Sequence, residues 1–149
     1  MWGTFPLKRF LHLFHSLSNV LDIVEVLYAA RTISVSRGSS VTLPCNASYN
    51  LNRCGLVHVV WLQNNVELVD PDRYLTTVSE IHKGGNTRHR QVLTEILKVG
   101  ANDTGAFQCK AECGSGESAK GHTININVQG KALIKIQSNQ QVSFLYLYM

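Results

Sequence analysis

The sequence predicts an all-β fold for residues 31–128, and two observations support that prediction. Apolar residues in this region recur mostly at every second position, which is the period of a strand buried on one face. Groups of turn-forming residues separate these runs, and no amphipathic helical period of useful length is present. With 149 residues, the chain has room for one domain of about 100 residues and two flanking segments.

Each predicted strand is an alternating run bounded by turn residues. Turn chemistry falls at residues 70–72 (Asp-Pro-Asp), 84–86 (Gly-Gly-Asn) and 114–116 (Gly-Ser-Gly), where these residue types favour reversals of the chain. Asn125 and Asn127 give the last strand a solvent-facing side. The residues predicted to face the core are, in chain order, Val41, Leu43, Cys45, Val57, Val59, Trp61, Val92, Thr94, Ile96, Val99, Ile124, Ile126 and Val128.

The charge of the chain argues against a nucleic-acid partner. The formal net charge is +4, but several of the basic residues lie in the flanks. Residues 31–128 contain ten Lys or Arg against eight Asp or Glu, a net charge of +2. This excess is too small to indicate a phosphate-binding surface.

The sequence contains no pattern typical of an enzyme, so we predict no catalytic residue, metal or cofactor. A zinc site requires three or four ligands at suitable spacing, and the six histidines are scattered without a third ligand nearby. No glycine-rich phosphate loop occurs. The histidines are His12, His15, His58, His82, His89 and His122.

The four cysteines, Cys45, Cys54, Cys109 and Cys113, all lie within residues 31–128. An even number without Cys-x-x-Cys spacing favours disulfides over zinc, and therefore an oxidising compartment. Four cysteines allow three pairings. Counting alone does not choose among them.

A motif near residue 105 identifies the type of β fold. Residues 103–109 read Asp-Thr-Gly-Ala-Phe-Gln-Cys, with Cys45 and Trp61 upstream. This order resembles the Cys, Trp and Asp-x-Gly-x-aromatic-x-Cys pattern of the immunoglobulin superfamily. The resemblance covers residues 31–128 and implies a two-sheet Greek-key sandwich, with a domain of variable or intermediate type.

The resemblance also implies roles for individual residues. Cys45 would join Cys109 between the sheets, with Trp61 packed against the bond, and the remaining pair, Cys54 and Cys113, would tie two loops together. In the same motif Phe107 stands where the family usually has a tyrosine, so the core ring is kept without its hydroxyl.

Domains of this family commonly have an ion pair at their closed end. The resemblance therefore implies that Arg73 pairs with Asp103. The alternative is a solvated Arg73, since an exposed pair contributes at most about 1 kcal/mol.

Within the superfamily the sequence is similar to lymphocyte receptors of the B- and T-lymphocyte attenuator type. The similarity rests on the second cysteine pair, on Asn52-Arg53-Cys54 ahead of residues 58–61 (His-Val-Val-Trp), and on residues 102–105 (Asn-Asp-Thr-Gly). Leu62-Gln63 stand where those receptors have further cysteines. The similarity implies a tumour-necrosis-factor receptor family ligand such as the herpesvirus entry mediator.

The flanks have two interpretations each. Residues 1–30 are either a signal peptide, with Lys8-Arg9 as the basic part and a cut after Ala30, or a helical or disordered leader. Residues 129–149 form a truncated or poorly ordered tail whose apolar end, 144–149, is too short to cross a bilayer. The chain is therefore expected to be secreted or to be the ectodomain of a membrane protein.

Two sequons and one basic cluster mark the predicted surface. Asn46-Ala47-Ser48 and Asn102-Asp103-Thr104 fit the N-glycosylation acceptor. A basic cluster around residues 84–85 is either a site for an acidic or glycan partner or, as we favour, a charged edge that keeps the sheet unpaired. Its members are Lys83, Arg88, His89 and Arg90.

We predict an extracellular recognition domain that binds a protein ligand through residues 49–55 and 110–118. Alternatives are docking through the face of the sheet that contains the Trp61 strand, self-association through a sheet edge, and a soluble decoy of a membrane receptor. The candidate contact residues in the loops are Tyr49, Asn52, Arg53, Lys110, Glu112 and Ser115.

Overall fold

The computed structural model describes residues 22–138 and 141–148 of the chain. These residues form twelve strands, one turn of α-helix, α1 (Leu51–Cys54), and a 3₁₀ helix (Ala101–Asp103). The strands are β1 (Val24–Leu27), β2 (Arg31–Ser36), β3 (Val41–Asn50), β4 (Val57–Gln63), β5 (Val66–Glu67), β6 (Tyr74–His82), β7 (Thr87–Ile96), β8 (Gly105–Cys113), β9 (Ser118–Lys120), β10 (Ile124–Gln129), β11 (Lys131–Ser138) and β12 (Gln141–Tyr148).

Ten of the strands form two sheets, which confirms the predicted all-β sandwich. One sheet has the order β1-β3-β7-β6, and the other has the order β2-β10-β8-β4-β5 with β9 beside β8. Neighbouring strands are antiparallel except β2 and β10, which are parallel. The chain crosses from one sheet to the other between β1 and β2.

The core lies between the sheets and follows the predicted alternation. Val128 alone among the predicted core residues is only half-buried, because it lies near the end of β10. Trp61 lies directly opposite Cys109 in the β4–β8 register, and Phe107 is fully buried. A disulfide joins Cys45 of β3 to Cys109 of β8, with the two Cα atoms 6.2 Å apart. This is the pairing that the family resemblance implied.

The sandwich includes residues ahead of position 31. β1 pairs with β3 from Val24 opposite Tyr49 to Leu27 opposite Asn46, and Val24 is buried in the core. A cut after Ala30 would therefore remove a strand from the sheet. The basic and apolar parts of the predicted leader lie outside the described residues.

Tyr28 contacts β8 between the residues that pair with β10 (105–107) and those that pair with β9 (110–112). Its hydroxyl accepts a hydrogen bond from the backbone N–H of Cys109 (2.9 Å), and its ring centroid lies 5.2 Å from that of Trp61. A Cβ atom on Gly121 would lie 2.2 Å from Cε1 of Tyr28. A glycine at this point therefore makes room for the Tyr28 ring.

Arg73 and Asp103 meet at the end of the sandwich where β6 begins. Nη2 of Arg73 donates to Oδ2 of Asp103 at 2.7 Å, and the same Oδ2 accepts from the backbone N–H of Gly100 at 2.8 Å. Hydrogen bonding to Asp103 raises the pKa of Arg73. Because the Asp103 side chain is only 3% exposed, this ion pair supplies a partner for a buried charge.

The segment after β10 forms a separate hairpin, which the sequence analysis did not predict. β11 and β12 pair antiparallel from Lys131 opposite Tyr148 to Ser138 opposite Gln141. Across the described ranges, no helix is both long and apolar enough to span a bilayer.

Candidate recognition surface

Three connections lie together at one end of the sandwich and form a surface that we call the loop platform, comprising residues 51–56, 83–86 and 114–117. They meet because the strands that carry them are neighbours. Asn50 at the end of β3 lies opposite Thr87 at the start of β7.

Two backbone features shape the first segment of the platform. The Asn50 side chain accepts a hydrogen bond from the backbone N–H of Arg53 (3.1 Å) and so caps α1, as asparagine often does. Gly55 ends the helix with φ = 72°, a conformation that costs a glycine little. The sequence Asn-Leu-Asn-Arg-Cys-Gly thus builds one helical turn with a cap at each end.

The platform is cross-linked through covalent and hydrogen bonds. Cys54 of α1 forms a disulfide with Cys113 at the end of β8, and their Cα atoms are 4.8 Å apart. Beside it, the backbone N–H of Gly114 donates to Leu56 O (2.7 Å). The N–H of Leu51 donates to Asn86 O (2.8 Å) on the other side. All three segments are therefore held in fixed positions relative to one another.

Leu56 protrudes from the platform and was missed by the sequence analysis. Its side chain is 87% exposed, the highest value among the large apolar residues of positions 22–130, and Leu51 nearby is 37% exposed. The predicted contact loop ended one residue earlier, at Gly55. The alternation of side chains along β4 could have indicated its exposure. Val57 and Val59 point inward, so the residue before them, Leu56, points outward.

The polar residues of the platform carry charge of both signs. Asn52, Arg53 and Ser115 are exposed, as the predicted contact role requires. The Ser115 hydroxyl donates to the Glu117 carboxylate at 2.6 Å. This hydrogen bond, with smaller effects of the backbone and of Arg53, lowers the pKa of Glu117. The lowered pKa favours the charged form of this carboxylate.

Lys110 and Glu112 do not belong to the platform, although they were predicted as contacts together with Ser115. They lie on the outer face of the second sheet, where Nζ of Lys110 is 2.7 Å from Oε2 of Glu112. Hydrogen bonding from Lys110 lowers the pKa of Glu112. His58 and Glu67 lie on the same face, 3.4 Å apart, and border a shallow groove with Val60 and Leu62.

The prediction that Tyr49 contacts a partner is wrong. Its side chain is only 3% exposed because it points between the sheets from β3. Its hydroxyl donates to Glu80 at 2.8 Å. Burial, together with this bond to a carboxylate, raises the pKa of Tyr49. The residue supports the fold beneath the platform and offers no ring to a ligand.

The members of the predicted basic cluster around residues 84–85 lie in different places in the structure. Nη2 of Arg90 lies 2.6 Å from Oε2 of Glu80. Burial opposes the ionisation of Glu80, but hydrogen bonds from Arg90 and Tyr49 outweigh it and lower the pKa of Glu80. His89 lies on the opposite side of β7, 3.3 Å from the Ser48 hydroxyl. Lys83 remains exposed at the platform.

The two sequons lie at different places on the sandwich. Asn46 is half-buried in the middle of β3 and lies between Leu27 of β1 and Gln91 of β7. Asn102 is exposed in the 3₁₀ helix at the end opposite the platform. Its carbonyl oxygen accepts a hydrogen bond from the Gln63 side chain at 2.9 Å.

Comparisons with known proteins agree with this architecture. The family model described as "Immunoglobulin domain" matches residues 31–120. Among solved structures, extracellular domains 3–5 of Drosophila OTK superpose with a TM-score of 0.53 at 12% sequence identity. That match covers 76% of this chain, which spans 37% of the OTK fragment. No curated protein matches the sequence.

Proposed function

The chain belongs to the immunoglobulin domain family, and on that premise we propose that it is an extracellular recognition domain that binds a protein partner through the loop platform. It acts by binding, without catalysis. The two disulfides support an oxidising, extracellular location. The fold match to extracellular domains of OTK points the same way.

The observation that carries this proposal is a rigid platform with an exposed leucine, Leu56. Ordering flexible loops on binding consumes part of the interaction energy. The Cys54–Cys113 disulfide and the hydrogen bond from Gly114 to Leu56 hold the platform in place before any partner arrives. Leu56 shares the platform with the exposed polar residues Asn52, Arg53 and Ser115, a composition that suits an apolar anchor with a polar rim.

A binding experiment tests the platform directly. The full chain is immobilised and exposed to a panel of cell-surface ectodomains that includes the herpesvirus entry mediator. We expect saturable binding to at least one of them. Leu56→Asp should weaken it by about thirtyfold or more, because truncation of an anchor residue typically costs about 2 kcal/mol or more. Cys54→Ser with Cys113→Ser should also weaken it, by freeing the two loops.

Val66→Asp is the matched control, since Val66 is a 68%-exposed apolar residue at the far end of β4 and β5. It should leave the affinity unchanged. An equal loss of affinity in Leu56→Asp and Val66→Asp would contradict the proposal that the loop platform binds the partner. Loss in Lys110→Glu with retention in Leu56→Asp would move the contact to the outer face of the second sheet, the alternative docking face.

The finer assignment rests on the resemblance to lymphocyte receptors of the attenuator type. We propose an immune-regulatory role with a ligand of the tumour-necrosis-factor receptor family on that basis. Saturable binding to the herpesvirus entry mediator in the same panel supports it. Binding confined to other members of the panel contradicts it and leaves the platform itself intact. The soluble-decoy alternative predicts the same contact residues, because it shares the ligand.

We also propose that Asn46 and Asn102 carry N-linked glycans. Neither side chain is fully buried, and neither sequon lies on the loop platform, so glycans there leave the proposed contact surface open. Chain secreted from mammalian cells should lose the mass of two glycans on treatment with an N-glycosidase. Asn46→Gln and Asn102→Gln should each remove one. An unchanged mass in either variant excludes glycosylation at that position.

A further inference from the structure

The first sheet ends in a long strand whose outer edge is unpaired in the described part of the chain. β6 pairs with β7 along its whole length, from Tyr74 opposite Ile96 to His82 opposite Arg88. It has nine residues, whereas the other strands at the ends of the two sandwich sheets have four (β1), six (β2) and two (β5). Nine residues present about 30 Å of backbone, along which N–H and C=O groups face outward.

β6 lacks the features by which proteins usually protect an exposed edge. Its sequence, Tyr-Leu-Thr-Thr-Val-Ser-Glu-Ile-His, has no proline and no lysine, and its register with β7 is continuous, without a bulge. Its one carboxylate, Glu80, is engaged by Arg90 of the same molecule. An edge of this kind is a template for pairing with another strand.

Three large apolar side chains line this strand and remain accessible. Leu75 is 50% exposed, and Val78 and Ile81 are each 56% exposed. Val78, at the centre of the strand, points to the inner face, where it borders a cavity with Thr76 and Val92, and Leu75 and Ile81 point to the outer face. The sequence analysis treated the charged residues near this edge as a device that keeps it unpaired, but the structure turns Arg90 inward, away from that role.

We propose that β6 pairs with β6 of a second copy of this chain, antiparallel and related by a two-fold axis at Val78. In this register Val78 faces itself, Leu75 faces Ile81, and Thr77 faces Ser79. Apolar side chains thus meet apolar ones, and hydroxyls meet hydroxyls. Such cross-strand pairs are the stabilising unit of a sheet, and the result is one continuous eight-stranded sheet.

Other registers are less favourable. Sliding the second copy by two residues places Leu75 opposite Ser79 in one direction and opposite Lys83 in the other. Both shifts leave strand residues without partners. Only the register centred on Val78 pairs all nine residues of each copy.

Charge is compatible with this register. Glu80 faces Thr76 and His82 faces Tyr74, so no two charged side chains within the paired strands oppose each other. Like charges directly opposite would be destabilising. Electrostatic repulsion along the strand therefore does not oppose self-pairing. Backbone hydrogen bonds between the two copies of β6 set the antiparallel orientation.

The expected complex is weak. A single pair of strands covers less than the roughly 800 Å² per partner that stable complexes commonly bury. Self-pairing should therefore be populated at high local concentration, as on a surface or in a multivalent array. Because the middle of β6 lies outside the loop platform, this surface is independent of the proposed ligand site.

Analytical ultracentrifugation of the full chain tests the proposal. The wild type should show a concentration-dependent monomer–dimer equilibrium. Val78→Lys and Val78→Glu should each weaken it by about tenfold or more, since each places like charges face to face on the two-fold axis. An equimolar mixture of the two variants should restore dimers, because lysine then faces glutamate. Restoration also shows that both variants are folded.

A matched set uses the Leu75–Ile81 contact. Leu75→Lys with Ile81→Lys should abolish dimers, whereas Leu75→Glu with Ile81→Lys should retain them. Leu56→Lys, on the loop platform, should have no effect. A wild type that is monomeric at millimolar concentration, a mixture that does not recover, or dimers lost only in Leu56→Lys would overturn the proposal.

Discussion

Replacing Gly121 with alanine is expected to destabilise the domain by about 3 kcal/mol. The added methyl group would lie 2.2 Å from the Tyr28 ring, so the ring must leave its position. Its departure leaves the buried N–H of Cys109 without a partner, which costs about 1–3 kcal/mol. It also removes the ring from Trp61, a loss of apolar packing that adds about 1–2 kcal/mol. Chemical denaturation followed by far-UV circular dichroism measures the loss.

A double-mutant cycle separates this cause from a general effect of removing a glycine. Tyr28→Ala should cost nearly as much as Gly121→Ala, and the double variant should cost little more than either alone, because both changes remove the same contacts. Tyr28→Phe should lose only the hydrogen bond, about 1–2 kcal/mol.

Gly100→Ala is the control for glycine removal. A Cβ atom at Gly100 has no neighbour within 4 Å, and its backbone is extended with φ = −128°. We expect a change in stability within about 0.5 kcal/mol. Additive costs of Gly121→Ala and Tyr28→Ala would show that the two residues do not share one packing arrangement.

Removing the disulfide between the sheets should have an effect of similar or greater size. Cys45→Ala with Cys109→Ala opens a link across 64 positions of sequence, and the loop-closure relation gives a loss of about 4 kcal/mol. Both cysteines are fully buried beside Trp61, so the loss of packing adds to this value. A domain of this size has only about 5–15 kcal/mol of stability, and the variant should be close to unfolded at 37 °C.

Cys54→Ala with Cys113→Ala gives the comparison. This link spans 59 positions, so loop closure alone predicts nearly the same loss. Cys54 and Cys113 are buried as well, so the two variants should differ only by the contacts that Trp61 makes with the inner bond. Urea midpoints and thermal melting of both report the difference. A loss below 1 kcal/mol for the inner pair would mean that the sheets are held together without help from the bond.

The sequence by itself determined the class of fold and the residues of the core. Alternation along a strand is a local property, since every second side chain points to the same side whatever the strand packs against. Val41, Leu43, Cys45 and Trp61 were therefore predictable as core residues. The motif at residues 103–109 added the family, because its turn and its cysteine impose a fixed local geometry.

The residues of the surface were less predictable. Whether a residue joins a given surface depends on the direction in which its side chain points, and closeness in sequence does not determine that direction. Lys110 and Glu112 were grouped with Ser115 by closeness in sequence, but alternation along β8 turns them onto the face of the sheet. Tyr49 was assigned to a loop and proves to be buried. Leu56 is the opposite example: it was left out of the predicted surface but is exposed. It directly precedes the buried Val57, and adjacent residues of a strand point to opposite sides.

Only the tertiary structure decided how the N-terminal segment joins the sandwich and which sheet edge stays open. Tyr28 and Cys109 are 81 positions apart, and nothing in the residues around either one indicates the hydrogen bond between them. The free edge of β6 likewise depends on which strand is last in the sheet. Pairing partners and edges are properties of the assembled sheet, and a local pattern carries no information about them.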